Sequence, residues 1–290
     1  NFLISLISDM KMPSDSNKMV PRLMTNSFLL VFAVSAVMCF VVYTGYFQRV
    51  KVELGISHYA ERVHPFVKNY IPGRINMPLN TVVNIGYVVV GAAWCAYTSV
   101  GLMMDRISQT DAKMFYVFNF ASCCYGPIQM LRILTQMYGF AVLDQWYTLP
   151  FFMLVFIWGL NHKRGWNTFR NITLTLVSIF SYHLVLYHEI GFEICLGVHI
   201  ALALLGANMA WSSNSEAKCA KYFVLALLSC LGFVVLKLAD FYLVTLSQVF
   251  KYLSGHFLSK ICDILQIHFV NHFFQQIALS TTADKKKKKE

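Results

Sequence analysis

The feature that most limits what this chain can fold into is a series of long stretches almost free of charge. Residues 23–48, 78–104, 114–131, 145–160, 171–188 and 194–211 contain no Asp, Glu, Lys or Arg. Residues 222–239 and 256–279 carry only Lys237, Lys260 and Asp263. A helical residue advances about 1.5 Å, so roughly 20 apolar residues cross the ~30 Å hydrocarbon layer of a bilayer. A charge at mid-bilayer costs about 2.5–3.5 kcal/mol, so their scarcity carries information. The runs are continuous and do not alternate over about ten residues, which argues against a β-barrel. A helix satisfies its own backbone groups and is the remaining way to span lipid.

Composition excludes the soluble alternative. Hydrophobic residues make up 57% of the 290 and charged residues 13%, against roughly 25% charged in globular domains. The formal net charge is +10, yet the basic residues lie between the apolar runs and at the ends, with no aromatic-interleaved stripe. This points to anionic lipid headgroups and control of topology, and not to nucleic acid. The eight cysteines include no CxxC pair; they read as small buried hydrophobes, with neither a disulfide framework nor a cysteine metal site expected.

The expected fold is therefore all-α, a polytopic membrane helix bundle of about eight spans. Residues 1–22 read as a disordered N-terminal tail, 23–48 as a first transmembrane helix, 49–77 as an extramembrane loop, 78–279 as a seven-helix core and 280–290 as a basic C-terminal tail. With the N-terminus cytosolic, Lys163, Arg164, Arg170, Lys218, Lys221 and the lysines at 285–289 all face the cytosol, as the positive-inside rule asks. The 49–77 loop, with Arg49, Lys51, Arg62, Lys68 and Arg74, breaks the pattern. Lys287 and Lys288, fourth and third from the end, resemble a dilysine retrieval signal and favour an endomembrane address, in the endoplasmic reticulum or Golgi, over the plasma membrane.

Polar residues inside such runs are candidate functional groups, because burying them is expensive; the competing role is interhelical hydrogen bonding. His268 and His272 are four apart on the last run, which puts both imidazoles on one helix face. That spacing holds one zinc ion in some helical sites, although a catalytic site needs a third protein ligand, and ordinary polar packing uses the same spacing. Asp144, at the start of the fourth run, can orient or deprotonate a metal-bound water or cap a helix. Asn80 and Asn84 share a face. Gly126-Pro127 is expected to kink the third run, with Tyr125 and Gln129 bordering the bend. Lys237 and Asp240 are spaced to pair. His256, Lys260 and Asp263 share a face turned away from His268 and His272, with an interfacial, snorkelling role expected.

Several stretches carry a resemblance. Leu143-Asp144-Gln145-Trp146 with Thr148-Leu149-Pro150, Leu228-Ser229-Cys230-Leu231-Gly232-Phe233, Gly255-His256-Phe257 through His268-Phe269, and His58-Tyr59-Ala60-Glu61 resemble the vertebrate transmembrane protein 187 family over residues 27 to 275. The resemblance implies a multi-pass membrane protein of unassigned biochemical role. A more distant resemblance reaches the superfamily of alkaline ceramidases and adiponectin-type receptors, seven-helix membrane hydrolases. Asn80-Thr81-Val82-Val83-Asn84 looks like its first element, Asp144 matches its Asp position, and Gln266 to His272 looks like its zinc-binding His-x-x-x-His helix. The departure is in the third run, which has no histidine; Gln129 is nearest to the position, with Tyr125 four residues earlier.

Three functions follow. The first is a non-catalytic protein on a ceramidase-like scaffold that binds membrane lipids or a protein partner whose identity the sequence does not give. The second is a zinc-dependent lipid amidase or esterase, with zinc on His268 and His272 and Asp144 acting on the water. The third is a transporter or channel using polar faces such as Asn80, Asn84 and His199. The missing ligand favours the first.

Overall fold

A computed structural model describes residues 16–287 except 71, 74 and 214–216, and among these all regular structure is helical. The elements are α1 (Ser16–Tyr43), α2 (Pro78–Val82), α3 (Ile85–Met103), α4 (Gln109–Thr135), α5 (Tyr138–Arg164), α6 (Thr168–Ser181), α7 (Gly191–Ser212), α8 (Ala217–Leu238), α9 (Asp240–Leu246) and α10 (Gly255–Lys287). Helix α1 begins inside the stretch read as a tail, and residues 1–15 lie outside the described residues. Helix α10 runs on into the basic tail as far as Lys287; the rest of the dilysine-like signal lies outside the described residues.

Among the described residues, six helical segments are long and apolar enough to cross a membrane: Met19–Tyr43, Pro78–Met103, Tyr138–Arg164, Thr168–Leu186, Gly191–Ser212 and Cys219–Leu238. Helices α4 and α10 have the length, at 27 and 33 residues, but are more polar. Their polarity has a cause in their placement. Both are inner helices, and most of α4 is buried by its neighbours. The outer helices show the reverse pattern. Phe28, Leu29, Leu30, Phe32 and Phe40 of α1 and Leu228, Leu231 and Val235 of α8 are exposed, an arrangement tolerable in lipid and costly in water.

Local sequence sets the helix ends. Pro78 occupies the first turn of α2, where its missing N–H is no loss. Ser108 caps α4 by accepting the Asp111 N–H at 3.2 Å. Gln136, with φ 52°, ends α4 in the left-handed region. Only Gln136 and Met137 separate α4 from α5, so the two helices form a tight antiparallel hairpin. Pro127 lies within α4, which continues through it as helix, with the proline on an exposed face.

Glycines permit the closest crossings. A methyl group added at Gly159 of α5 would stand 1.8 Å from the Gly206 carbonyl oxygen of α7. One added at Gly126 of α4 would stand 2.8 Å from the Asn84 carbonyl oxygen. In the core, Trp158 stacks on Phe274 of α10 at 4.1 Å between ring centroids and meets Phe115 edge-on at 4.5 Å.

Candidate functional site: a polar chamber at one end of the bundle

Three stretches, the broken α2–α3 segment and the helices α4 and α10, each present polar residues at the same i, i+4, i+7 spacing, which on a helix shares one face. The sets are Asn80, Asn84 and Tyr87 on α2–α3, Tyr125, Gln129 and Arg132 on α4, and His256, Lys260 and Asp263 on α10. Asp144 and Thr148 of α5 complete the group. All lie toward the end of the bundle where the 49–77 loop packs.

Asp144 is the hub. Its Oδ2 accepts from the Arg132 guanidinium, and its Oδ1 accepts from the Gln129 amide and, at 2.9 Å, from the Tyr125 hydroxyl. Thr148 donates to the Asp144 carbonyl at 2.8 Å and lies 3.0 Å from the Tyr125 hydroxyl. The Lys260 ammonium donates to Gln129 Oε1 at 2.7 Å. Because lysine only donates, this contact fixes which way the Gln129 amide points. Gln129 thus links Lys260 to Asp144. Tyr87 donates to Asp263 Oδ2 on the neighbouring stripe. Arg132, Asp144 and Lys260 are all buried.

The loop closes this end. Glu61 accepts from the backbone N–H groups of Leu79 and Asn80 at 2.7 and 2.8 Å, capping α2. Asp240 accepts from the N–H of Ala60 at 2.9 Å and from that of His256 at 2.9 Å, tying loop, α9 and α10 together. Tyr59 packs with Met77 and Ile133, and its ring meets His256 edge-on at 4.8 Å. Burial pushes the Tyr59 phenol above its ordinary range. Burial also raises the Glu61 carboxyl to about 7, against the lowering effect of its backbone donors.

Several sequence expectations need correction here. Lys237 and Asp240 do not pair: Asp240 serves backbone donors, and the Lys237 ammonium lies 5.9 Å from the centre of the Phe233 ring. Lys260 does not snorkel; it is 4% exposed and turned inward. Asn84 donates to the Asn80 carbonyl at 2.6 Å, four residues earlier, while the Asn80 amide reaches Ser254, just before α10, at 3.5 Å. The Oδ1 atoms of Asn80 and Asn84 are buried without a donor among the described residues. Arg132 lies just beyond the end of the third apolar run, where a charge reads as interfacial. Its position seven residues after Tyr125 and twelve before Asp144, across a short turn, was the available signal.

His268 and His272 stand together, with ring centroids 4.6 Å apart. Their surroundings are aromatic and amide groups. Trp94 Nε1 donates to His268 Nδ1 at 3.3 Å, Tyr222 stacks on His272 at 4.7 Å, and His272 Nδ1 lies 2.9 Å from Gln275 Oε1. They lie about 12 Å or more along α10 from Lys260, at about 1.5 Å per residue. Among the described residues, no group of three or more His, Cys, Asp or Glu side chains gathers around a point a metal ion could occupy. The donor set beside the two histidines therefore falls short of the three ligands a catalytic zinc needs. Gln129, read from the sequence as the nearest substitute, is engaged with Asp144, Tyr125 and Lys260. His199 is placed apart from both groups, 2.8 Å from Ser178 Oγ and 2.7 Å from the Cys195 carbonyl. A separate surface cavity of about 210 Å³ opens beside the Lys51–Glu189 ion pair and Gln145.

Long helices with apolar outer faces and inward polar stripes define a multi-pass helical membrane protein. The chain belongs to the TMEM187 protein family, whose model matches residues 27–275. It is 41% identical to human transmembrane protein 187 over 239 residues, covering 82% of this chain and 87% of that protein. It is 39% identical to the Bos taurus transmembrane protein 187 over 236 residues, covering 81% and 90%. No solved structure matches it.

Proposed function

We propose that this protein crosses the membrane eight times and binds lipid in the polar chamber without hydrolysing it. The eight spans comprise the six apolar segments together with α4 and α10. Their lengths of 27 and 33 residues exceed the roughly 20 needed. This count puts Lys163, Arg164, Arg170 and Lys221 on one side, as cytosolic loops require, and the chamber on the other.

The observation that carries the non-catalytic reading is the engagement of Asp144. Both carboxylate oxygens accept charge-assisted or hydroxyl hydrogen bonds from Arg132, Gln129 and Tyr125. A carboxylate held this way is a poor base for water. The Oδ1 atoms of Asn80 and Asn84 and the Arg132 Nε are buried there without a partner among the described residues, which leaves acceptors and a donor for a headgroup to meet. The seven-helix core after α1 keeps the order of the ceramidase-like motifs, and the zinc-dependent amidase or esterase is the second reading, resting on the 4.6 Å approach of His268 and His272. A cytosolic tail with Lys287 and Lys288 supports residence in the endoplasmic reticulum or Golgi.

The test uses the full chain purified in mild detergent. Native mass spectrometry should detect a co-purified lipid, and incubation with ceramide and phospholipids should return them intact. Release of fatty acid, with about one zinc per chain lost in His268→Ala, would replace this reading with the hydrolase.

A further inference from the structure

We infer that the surface cavity between the segment after α1 and the α6–α7 connection is a second lipid site, which takes the zwitterionic phosphoethanolamine headgroup of a phospholipid, with Arg49 on its phosphate and Glu193 on its ammonium. The inference goes beyond the polar chamber and stands on different residues.

The cavity measures about 210 Å³. Pockets that enclose a whole drug-sized ligand run to about 300–1,000 Å³, so this one suits a headgroup whose chains stay outside. Its walls carry opposite charges. Arg49 and Lys51 supply one wall from the chain just after α1, and Glu189 and Glu193 supply the other from around the start of α7. The two cations and two anions cancel, which favours a ligand carrying both signs over a simple ion. Lys51 and Glu189 pair with each other and strap the walls together, with side chains 73% and 77% exposed. The Arg49 and Glu193 side chains line the same cavity yet form neither a hydrogen bond nor an ion pair among the described residues. Gln145 of α5 is the half-buried part of the lining. Its Oε1 accepts the Tyr182 hydroxyl at 3.0 Å, and its amide nitrogen has no partner among the described residues. Guanidinium and amide N–H groups suit a phosphate, and a carboxylate suits an ammonium. A primary ammonium offers Glu193 three N–H donors; the quaternary nitrogen of choline offers none. Solvated loop charges account for exposed side chains, but not for a cavity that holds two opposite charges apart with an unspent amide beside them.

Placement identifies the source of the headgroup. Three membrane segments end at this cavity: Met19–Tyr43, Thr168–Leu186 and Gly191–Ser212. Leu186 itself lines it. That is the boundary between hydrocarbon and water, and Tyr43, Tyr46 and Tyr187 are exposed at the same level, as aromatic residues at a membrane interface are. Within the adjoining turns α6 exposes Val177 and Phe180, and α7 exposes Ile194 and Val198, apolar surface on which acyl chains can rest.

The experiment titrates the full chain in neutral detergent with dioleoyl phosphatidylethanolamine, phosphatidylcholine or phosphatidylglycerol, or with soluble glycerophosphoethanolamine, and counts adducts by native mass spectrometry. Phosphatidylethanolamine should bind tightest. Arg49→Gln and Glu193→Gln should each weaken it about tenfold, the loss expected of one charge-assisted hydrogen bond. Glu193→Gln should also turn the preference toward anionic phosphatidylglycerol, a change of selectivity that a merely structural role would not produce. Arg164→Gln, the same charge change on an exposed residue at the other end of the bundle, should bind as the unmodified chain does. Phosphatidylcholine binding as tightly as phosphatidylethanolamine would overturn the ammonium contact to Glu193. Glycerophosphoethanolamine binding as tightly as the lipid would keep the site and overturn the lipid as its source. Equal phosphatidylethanolamine affinity in the unmodified chain, Arg49→Gln and Glu193→Gln would overturn the site, while the chamber reading, tested on co-purified lipid, would stand.

Discussion

Arg132 and Asp144, twelve residues apart, form a buried ion pair across the α4–α5 hairpin, each side chain 9% exposed. The link of Gln136 and Met137 folds the chain back sharply enough to bring them face to face. The pairing makes both charges tolerable below the membrane surface, where either alone would be costly. It also commits Asp144 to a neighbour. The residue that the sequence offers as a base for a metal-bound water is, in three dimensions, hydrogen-bonded by Arg132, Gln129 and Tyr125 of α4.

The Glu61 cap should make stability depend on pH in an unusual direction. Burial raises its carboxyl from 4.5 to about 7 in the folded chain, so the folded state holds the proton more tightly than the unfolded one. The associated stability is fully present below about 4.5, falls as pH rises, and is gone above about 7, an effect of at most roughly 3 kcal/mol. The detergent-solubilised protein should melt at a higher temperature at pH 5 than at pH 8, with the difference reduced in Glu61→Gln. An unchanged difference in that variant would assign the effect to another group.

Asn119 of α4 and Asn271 of α10 clasp each other with reciprocal amide bonds of 2.7 and 3.0 Å, while each amide also donates to the carbonyl four residues earlier. Asn271→Leu breaks both interhelical bonds and leaves the buried Asn119 without its partner. The expected loss is about 1–2 kcal/mol, in the range of interhelical polar contacts in membranes, read as an earlier midpoint in a denaturing detergent titration. Asn119→Leu with Asn271→Leu should recover part of it.

The Gly159–Gly206 crossing leaves no room for a side chain, since the nearest atoms to an added methyl are backbone. Gly206→Val should force α5 and α7 apart and cost roughly 3 kcal/mol or more, as overpacking against rigid backbone does. Size-exclusion chromatography in detergent should show aggregated material. Gly197→Ala, on the same helix with open space around it, should elute as the unmodified chain does.

The helices were legible because lipid imposes one strong requirement, and runs of uncharged residues record it directly. Their ends were less legible. Polar caps such as Ser108 and Asn167 extend α4 and α6 beyond the apolar runs. The inner helices α4 and α10 were harder still: they carry the polar groups, so hydropathy understates them. At the site, Asp144, Gln129 and Tyr125 were each singled out, and the structure joins all three. Arg132 is not legible in the same way, because a charge just past an apolar run reads as an interfacial residue until the hairpin folds it back. For Asp240, helical spacing to Lys237 predicts a pair, but α8 ends at Leu238 and α9 begins afresh, which breaks the register.

The central claim is that Asp144 is a structural anion paired with Arg132, and a double-mutant cycle on thermal unfolding in detergent tests it most directly. Asp144→Asn should cost about 3–5 kcal/mol by leaving a buried guanidinium unpaired, and Arg132→Met combined with Asp144→Leu should return to within about 1–2 kcal/mol of the unmodified chain. The claim is contradicted if Asp144→Asn melts as the unmodified protein does while abolishing turnover of a lipid substrate.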